Sequence, residues 1–255
     1  KALTCWNALL VIGFAEAHRS LPEKGYDQAA TSLLDTLLNT VWQNGAIAHQ
    51  YLKDTAEGDG FLDDYSSFGQ ALLEGFLLTG NSMYLERAHE LAERIERVFP
   101  FEGDFRVYSP AVDAAWQKQL EIEDNVIPSA NSMWAHFYQS MGTIADRNDW
   151  KEQPQQALRT LHSKVFRYGP NFSNWLELGL MRAYGAKELV ITGPGAKAAA
   201  EDLQRTHYQP GTLVLFSESA SELAHFKGRV GHTLTYYLCS NNTCQLPTTD
   251  LNELL

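Results

Sequence analysis

Hydrophobic residues along the chain follow two alternating patterns, each typical of a different kind of helix. In the first, almost every position is apolar or small, as in residues 4–19, which predicts a helix covered on all sides. In the second, apolar residues recur at i, i+3, i+4 and i+7, which predicts one buried face. The first pattern recurs at residues 62–79, 128–141 and 172–184, and the second occurs at residues 26–42, 82–99 and 149–167. Inner and outer helices are therefore predicted to alternate, and the fourth inner helix has no outer partner after it.

Shorter segments have the patterns of strands and turns. Residues 46–52 are predicted to form a short strand, residues 54–60 a polar turn, and residues 101–108 a hairpin in a long connection. The composition changes at Gly185, after which strands are predicted at residues 187–192, 212–217 and 233–239 and a helix at residues 196–207. We therefore predict two domains, residues 1–184 and residues 185–255, of which the second is a small α/β appendage.

Alternating inner and outer helices are what a double ring of helical hairpins requires. A closed α/α toroid usually has six hairpins, and at roughly 60 residues per hairpin it needs on the order of 350 residues. This chain shows three hairpins and a single inner helix. The predicted fold class is therefore mainly α: an incomplete (α/α)6 toroid with a small C-terminal α/β appendage.

The net charge limits the possible binding partners, and the cysteine content indicates the cellular compartment. The net charge of -11 argues against nucleic acid or an anionic membrane as partner, because both need a basic face. No apolar run is long enough to span a bilayer. Three cysteines in 255 residues do not form the framework of a small secreted protein, so a reducing, cytoplasmic location is expected. The chain begins at Lys1 inside a helical pattern, so we expect the natural N-terminus to be missing.

Four motifs follow one another along the chain and resemble those of a known family. They are Leu3-Thr-Cys-Trp-Asn7, Phe61-Leu-Asp-Asp-Tyr65, Pro128-Ser-Ala-Asn-Ser132 and Cys239-x4-Cys244-Gln-Leu-Pro-Thr-Thr-Asp250. Together they resemble the motifs of the spermatogenesis-associated, thioredoxin-domain-containing protein family. That resemblance implies a thioredoxin-like domain followed by an α/α toroid similar to N-acylglucosamine 2-epimerases and six-hairpin glycosidases. This chain lacks the thioredoxin domain and the first part of the toroid, so the missing N-terminal part of the same protein is an expected partner.

Polar residues at the starts of the inner helices form the candidate site. Asp63, Asp64, Asn7 and Asn131 are expected at the same end of successive inner helices, around the mouth of one funnel, where α/α toroids bind sugars. The aromatic rings that could stack on a sugar are those of Trp6, Tyr65 and Trp175. The competing interpretation is that these residues are helix caps and core aromatics, since a helix start favours carboxylates and amides.

If the site is catalytic, Asp63 or Asp64 is the expected acid or base, because a carboxylate in a partly apolar funnel can be tuned towards neutral pH. Epimerases of the related fold move a proton next to the sugar carbonyl with histidines, and His49 is the histidine nearest to a motif. An inverting glycosidase would instead need a second carboxylate from elsewhere, because adjacent Asp63 and Asp64 point in different directions. The competing class is a non-catalytic scaffold or partner-binding protein.

We expect neither a cofactor nor a metal. Cys239 and Cys244 could form a disulfide or half of a metal site, but no second cysteine pair exists, so a four-thiolate zinc site is excluded within this chain.

Overall fold

The computed structural model describes residues 1–53, 55–109, 119–207, 210–240 and 243–254. Its helices are α1 (Thr4–Ser20), α2 (Tyr26–Thr40), α3 (Leu62–Thr79), α4 (Ser82–Val98), α5 (Ala130–Ile144), α6 (Asn148–Arg167), α7 (Ser173–Ala183) and α8 (Ala196–Thr206). Its strands are β1 (Ala2–Leu3), β2 (Trp42–Gln43), β3 (Ala46–Leu52), β4 (Thr55–Asp59), β5 (Phe101–Glu102), β6 (Phe105–Arg106), β7 (Lys187–Thr192), β8 (Thr212–Ser217), β9 (Thr235–Ser240) and β10 (Thr243–Cys244).

The described residues form two compact units. The first comprises Lys1–Glu16 and Gly25–Leu178, and the second comprises Ala17–Lys24 and Gly179–Leu255. These units do not have the same bounds as the predicted domains, residues 1–184 and 185–255, which stay a prediction.

Helices α3 and α5 are the inner helices of the first unit. Both are buried around most of their circumference, whereas α4 and α6 bury one face and expose the opposite, charged face. Helix α3 packs against α4 and α5, and α5 packs against α6. The Phe137 ring of α5 packs directly on Gly69 of α3, where an added Cβ would lie 2.5 Å from the ring. The predicted fold class is confirmed for the described residues: they are mainly α, with helical hairpins arranged as in a toroid and a small α/β appendage. That the toroid is incomplete stays a prediction.

The prediction that the first inner helix is covered on all sides is wrong. On α1 the side chains of Trp6 and Leu10 are 63% and 48% exposed, and they lie four residues apart on one helix face. Leu176 and Leu180 of α7 are exposed at the same spacing. No described element covers these two faces. An all-round apolar pattern shows that a helix could be buried on every side, but it does not show whether another element packs against each side.

Strand β3 confirms the strand predicted at residues 46–52, but the predicted polar turn at residues 54–60 is wrong. Residues 55–59 form β4, which pairs antiparallel with β3, for example Gln50 with Glu57. Backbone pairing with β3 outweighs the low strand propensity of this polar segment. Asp54 lies outside the described residues. The hairpin predicted at residues 101–108 is confirmed as β5 and β6, and residues 110–118 of the connection that follows lie outside the described residues.

The second unit is built on a mixed sheet with the strand order β10-β9-β7-β8. Strand β7 pairs parallel with β8, to which it is connected by α8, and antiparallel with β9. The core between helix and sheet includes Ile191, Leu203 and Val214. The predicted strands and helix are confirmed, the third strand with its bounds shifted to Thr235–Ser240. Among the described helices, none is long and apolar enough to cross a membrane.

Candidate functional site

The starts of α1 and α3 meet at the carboxylate of Asp64, which is fully buried. Its Oδ1 accepts a hydrogen bond from the backbone N–H of Cys5 at 3.0 Å, and its Oδ2 accepts one from the backbone N–H of Phe61 at 2.9 Å. Oδ2 also lies 2.8 Å from Nδ1 of His49. The same carboxylate therefore caps its own helix, satisfies the first turn of a second helix and holds a histidine.

A close backbone contact brings β3 to the start of α3. Gly60 donates its N–H to the carbonyl of Ile47 at 2.8 Å, and a Cβ at residue 60 would lie 2.6 Å from that oxygen, so only glycine fits. The Tyr65 hydroxyl accepts the N–H of Ile47 at 3.0 Å. Since His49 follows Ile47 by two residues on the same strand, these contacts fix the histidine beside Asp64.

His49 is the partly exposed member of this pair, with 29% of its side chain accessible. Its ring packs edge-on against Phe61, with the centroids 5.1 Å apart. The hydrogen bond to Asp64 raises the pKa of His49, although burial acts in the opposite direction. Among the described residues no hydrogen bond engages Nε2, so this nitrogen is the one left for a ligand.

Asp63 lies next to this pair, and its carboxylate is largely shielded from water. Its Oδ1 accepts the backbone N–H of Asp64 at 2.9 Å. Burial raises the pKa of Asp63 to about 7, and the negative charges of Asp64 and Glu121 add to the effect. Asp63 can therefore both hold and release a proton near neutral pH.

Tyr108 and Glu121 complete the cluster and were not predicted from the sequence. The Tyr108 ring stacks on Phe61 with the centroids 5.0 Å apart and the planes 4° from parallel. Burial, followed by the charges of Asp63 and Glu121, raises the pKa of Tyr108. Burial also raises the pKa of Glu121, and a hydrogen bond with the backbone of Ala130 partly offsets this. Both residues flank the long connection, where helical or strand periodicity gives no signal.

Cys5 also lies in the cluster, but its thiol is not a reactive group. Its Sγ is 3.4 Å from the Ser67 hydroxyl, and the residue is 3% exposed. Burial, reinforced by the charge of Asp63, raises the pKa of Cys5 far above neutral pH, so the thiol stays protonated.

Three of the predicted ligand-binding residues are buried, and their side chains form hydrogen bonds with backbone groups of the protein. Asn131 accepts the N–H of Arg106 at 2.8 Å and donates to the carbonyls of Arg106 and Glu121, both at 3.0 Å. Tyr65 accepts from Ile47, and Trp175 donates its Nε1–H to Ile122 at 2.9 Å. These contacts position the segments around the cluster, and direct contact of the three side chains with a sugar stays a prediction.

Trp6 and Asn7 lie at the start of α1, next to Cys5. The Trp6 side chain is largely exposed, while Asn7 donates from Nδ2 to the carbonyl of Leu3 at 2.7 Å. An exposed indole directly after the residue whose N–H meets Asp64 is available for stacking on a ligand.

The next inner-helix starts are joined in a similar way. The Ser66 hydroxyl of α3 is 3.3 Å from the carbonyl of Ala130, at the start of α5. Buried Asp124 accepts from the N–H of Ser129 at 2.9 Å and the hydroxyl of Ser132 at 2.7 Å through Oδ1, and from the N–H of Asn174, at the start of α7, at 2.9 Å through Oδ2. The starts of α1, α3, α5 and α7 are thus linked in succession. Within the described part of the chain, no group of three or more His, Cys, Asp or Glu side chains could hold a metal ion.

Comparison with known proteins gives relatives over the whole chain. Spermatogenesis-associated protein 20 of Mus musculus is 25% identical over 281 residues, which cover 100% of this chain and 35% of the relative. The predicted resemblance is confirmed. The Homo sapiens protein of the same name is 22% identical over 289 residues, covering 100% of this chain and 35% of its own length. An uncharacterized Caenorhabditis elegans protein is 22% identical over 271 residues, covering 100% of this chain and 37% of its own length.

The chain thus spans about a third of the length of these relatives. The thioredoxin-like domain that the resemblance implies stays a prediction. No family model matches the chain. A crystal structure of D-mannose isomerase is similar with a TM-score of 0.47 and 16% identity, over 60% of this chain and 43% of that chain.

Proposed function

We propose that the cluster around Asp64 binds a small carbohydrate and moves a proton on it, as a sugar isomerase or 2-epimerase does. The observation that supports this is the pairing of His49, oriented by a buried carboxylate, with Asp63, whose pKa is about 7. A proton-transfer catalyst needs an acid and a base that both exchange protons near the working pH. Asp63 has that property, and His49, whose pKa is raised by its hydrogen bond to Asp64, is the titratable group beside it.

The proposed reaction keeps the substrate at one oxidation level overall. The base removes the proton from the sugar carbon next to the carbonyl, the electron pair forms a carbon–carbon double bond, and the carbonyl oxygen takes a proton from the acid, which gives an enediol. In an isomerisation a proton is then returned to the former carbonyl carbon, and the hydroxyl on the other carbon gives its proton back and becomes the new carbonyl. In an epimerisation a proton is returned to the opposite face of the same carbon, and the original carbonyl re-forms as its oxygen loses its proton. His49 Nε2 is the proposed base, because Asp64 stabilises the imidazolium that forms, and Asp63 in its protonated form is the proposed acid.

Binding is assigned to the groups that surround these two. The exposed ring of Trp6 would stack on the apolar face of a sugar ring, while Glu121 and Asn7 would bond its hydroxyls. The expected cytoplasmic location, the expected absence of a cofactor, and an N-terminal part of the same protein as a partner all stay predictions.

Two other functions have an observation in their favour. Glu121 contributes to the raised pKa of Asp63, so it is a second acidic group of the kind that a glycosidase requires. The exposed apolar side chains of Trp6 and Leu10 on α1 favour the scaffold function, because a partner could cover them.

Proton transfer can be tested directly in deuterated water. The purified protein is incubated with a panel of aldoses, ketoses and N-acylhexosamines, and NMR follows deuterium incorporation at the carbon next to the carbonyl. We expect incorporation with at least one sugar, and a loss of about 10²-fold or more in His49→Gln and in Asp63→Asn. His89→Gln is the matched control, because His89 also lies near a carboxylate, 3.8 Å from Glu93, but on the outer helix α4.

Each outcome decides between the three functions. Exchange that survives in both site variants would exclude the cluster as its source. Release of reducing sugar from disaccharides without exchange would replace the isomerase with a glycosidase. No exchange, no hydrolysis and no calorimetric binding of any sugar would leave the scaffold function.

A further inference from the structure

The second unit contains a disulfide that joins an edge strand of its sheet, β10, to the neighbouring strand β9. Cys239 of β9 and Cys244 of β10 are directly paired in the antiparallel register, and their sulfurs are bonded. Cys239 is 5% exposed, whereas Cys244 lies on the exposed edge strand. One sulfur therefore belongs to a buried residue and the other to an exposed one.

A positive charge lies at the exposed sulfur. The Nη2 of Arg229 is 3.6 Å from Sγ of Cys244. The guanidinium is held over the Tyr237 ring, 5.0 Å from its centroid, and the Arg229 carbonyl accepts the Thr192 hydroxyl at 2.9 Å. Within the described part of the chain no carboxylate forms an ion pair with Arg229, so its charge is not neutralised there.

We infer that Cys239 and Cys244 form a thiol–disulfide exchange site, which a dithiol reductant opens at Cys244. The positive charge of Arg229 attracts the negatively charged thiolate of the reductant towards Sγ of Cys244. In the second step it stabilises Cys244 when that sulfur leaves as a thiolate. An exposed edge strand gives the attacking thiolate access to Sγ of Cys244. This inference is independent of the carbohydrate proposal, since it uses only residues of the second unit.

The exchange balances in two steps. A thiolate of the reductant attacks Sγ of Cys244, the Cys239–Cys244 bond breaks, and its electron pair goes to Sγ of Cys239, which takes up a proton as a thiol. The second thiol of the reductant, as thiolate, then attacks the mixed disulfide and releases Cys244 as a thiolate beside Arg229. The dithiol is oxidised to its own disulfide while the protein gains two electrons and two protons, one proton on each sulfur once the Cys244 thiolate is protonated.

The test measures reduction of the folded chain by dithiothreitol, with thiols trapped by a mass-tagged maleimide. We expect reduction without denaturant, with a rate constant about fivefold lower in Arg229→Gln, the effect of one charge near 4 Å in a solvated setting. Arg229→Lys should restore most of the rate because it keeps the charge. Lys227→Gln is the matched control, since this exposed lysine lies two residues away and pairs with Glu222 at 2.8 Å.

A second arm locates the attack independently of these variants. Oxidised protein is incubated with reduced glutathione, and mass spectrometry maps the mixed disulfide. We expect glutathione on Cys244 and not on Cys239. Reduction that requires denaturant, equal rates in the wild type and Arg229→Gln, or glutathione on Cys239 would each overturn the inference.

Discussion

Asp64 and Asp124 are two buried carboxylates that do the same structural work at neighbouring helix starts. Each accepts backbone N–H groups from the starts of two inner helices, Asp64 between α1 and α3 and Asp124 between α5 and α7. The remaining partner differs. Asp124 accepts the Ser132 hydroxyl, whereas Asp64 holds the partly exposed His49.

The difference separates the contacts that join helix starts, which both carboxylates make, from the contact with a titratable side chain, which only Asp64 makes. A carboxylate at paired helix starts satisfies orphan N–H groups and the positive dipole ends, and the fold uses it twice. Of the other groups in the cluster, Asp63 comes from the start of α3 itself, His49 from β3, and Tyr108 and Glu121 from the connection between β6 and α5. The predictions below test this division in order of expected effect.

Replacing either carboxylate by alanine should have the largest effect on stability. Asp64→Ala and Asp124→Ala each leave one buried and one partly buried N–H group without a charged acceptor, so we expect each to lower the free energy of unfolding by about 3 kcal/mol. Urea denaturation measures this. A loss below about 1 kcal/mol in either variant would show that water replaces the carboxylate at that helix pair.

Asp63→Asn should stabilise the chain at alkaline pH. The pKa of Asp63 is raised to about 7, above its usual value near 4, so folding disfavours the ionised form and the chain loses stability as the pH rises from about 4 to 7. Asparagine still accepts the Asp64 N–H but carries no charge. We expect a gain on the order of 2 kcal/mol at pH 8 and little change at pH 4, after allowance for solvent screening.

Thermal unfolding of wild type and Asp63→Asn across this pH range checks the sign. Asp202→Asn, an exposed carboxylate of the second unit, is the control and should leave the pH profile unchanged. A destabilised Asp63→Asn at pH 8 would contradict the assigned environment.

Asp64→Asn and Asp124→Asn should separate the two carboxylates by function. Asparagine keeps one acceptor oxygen and has an NH2 group in place of the other, so in each variant one of the two helix starts loses its acceptor, and both should cost about 2 kcal/mol. Only Asp64→Asn removes the hydrogen bond to a carboxylate, and with it the Asp64 charge, that raise the pKa of His49, so the imidazole should titrate at lower pH. Stability linked to this pair is fully present below about pH 6.5 and is lost as the pH rises through the folded pKa.

NMR titration of the His49 ring measures this shift, with the His89 ring as an internal reference. An unchanged His49 titration in Asp64→Asn would mean that the hydrogen bond seen here does not control the histidine. A shifted one in Asp124→Asn would mean that the two helix starts are coupled.

The smallest change in stability is expected for Trp6→Ala. Because the side chain is 63% exposed, the free energy of unfolding should change by less than about 0.5 kcal/mol. Sugar binding should nevertheless weaken about tenfold, the loss of one aromatic stacking contact. Calorimetric titration with the sugar found by deuterium exchange measures it, with Leu10→Ala as the control on the same face of α1. Unchanged affinity would remove Trp6 from the proposed site.

The sequence predicted those parts of the site that are local to one helix start. Asp63 and Asp64 could be chosen as candidates because a helix cap needs one carboxylate and two are present. His49 could be chosen because it lies shortly before them, on a predicted short strand. Tyr108 and Glu121 could not be predicted. They lie in a long connection, where the sequence has no helical or strand periodicity that shows which residues pack against the helix starts. Strand β4 was missed since its polar residues are held by backbone pairing, which side-chain pattern does not encode. The exposed face of α1 shows the same limit: apolar residues record a capacity for burial and do not identify the neighbour.

The hydrogen bond from Cys5 to Asp64 joins residues 59 positions apart, and this separation bears on the order in which the molecule assembles. Contacts within the α3 and α4 hairpin are local and have a small loop-closure cost, whereas docking of α1 closes a long loop. We therefore expect the hairpin to form early and the site to be completed only when the first helix docks. A chain that has lost this last step would keep most of its helical circular dichroism while its Asp64 cluster is open to water. Pulsed hydrogen exchange during refolding would show it as late protection of the Cys5 amide.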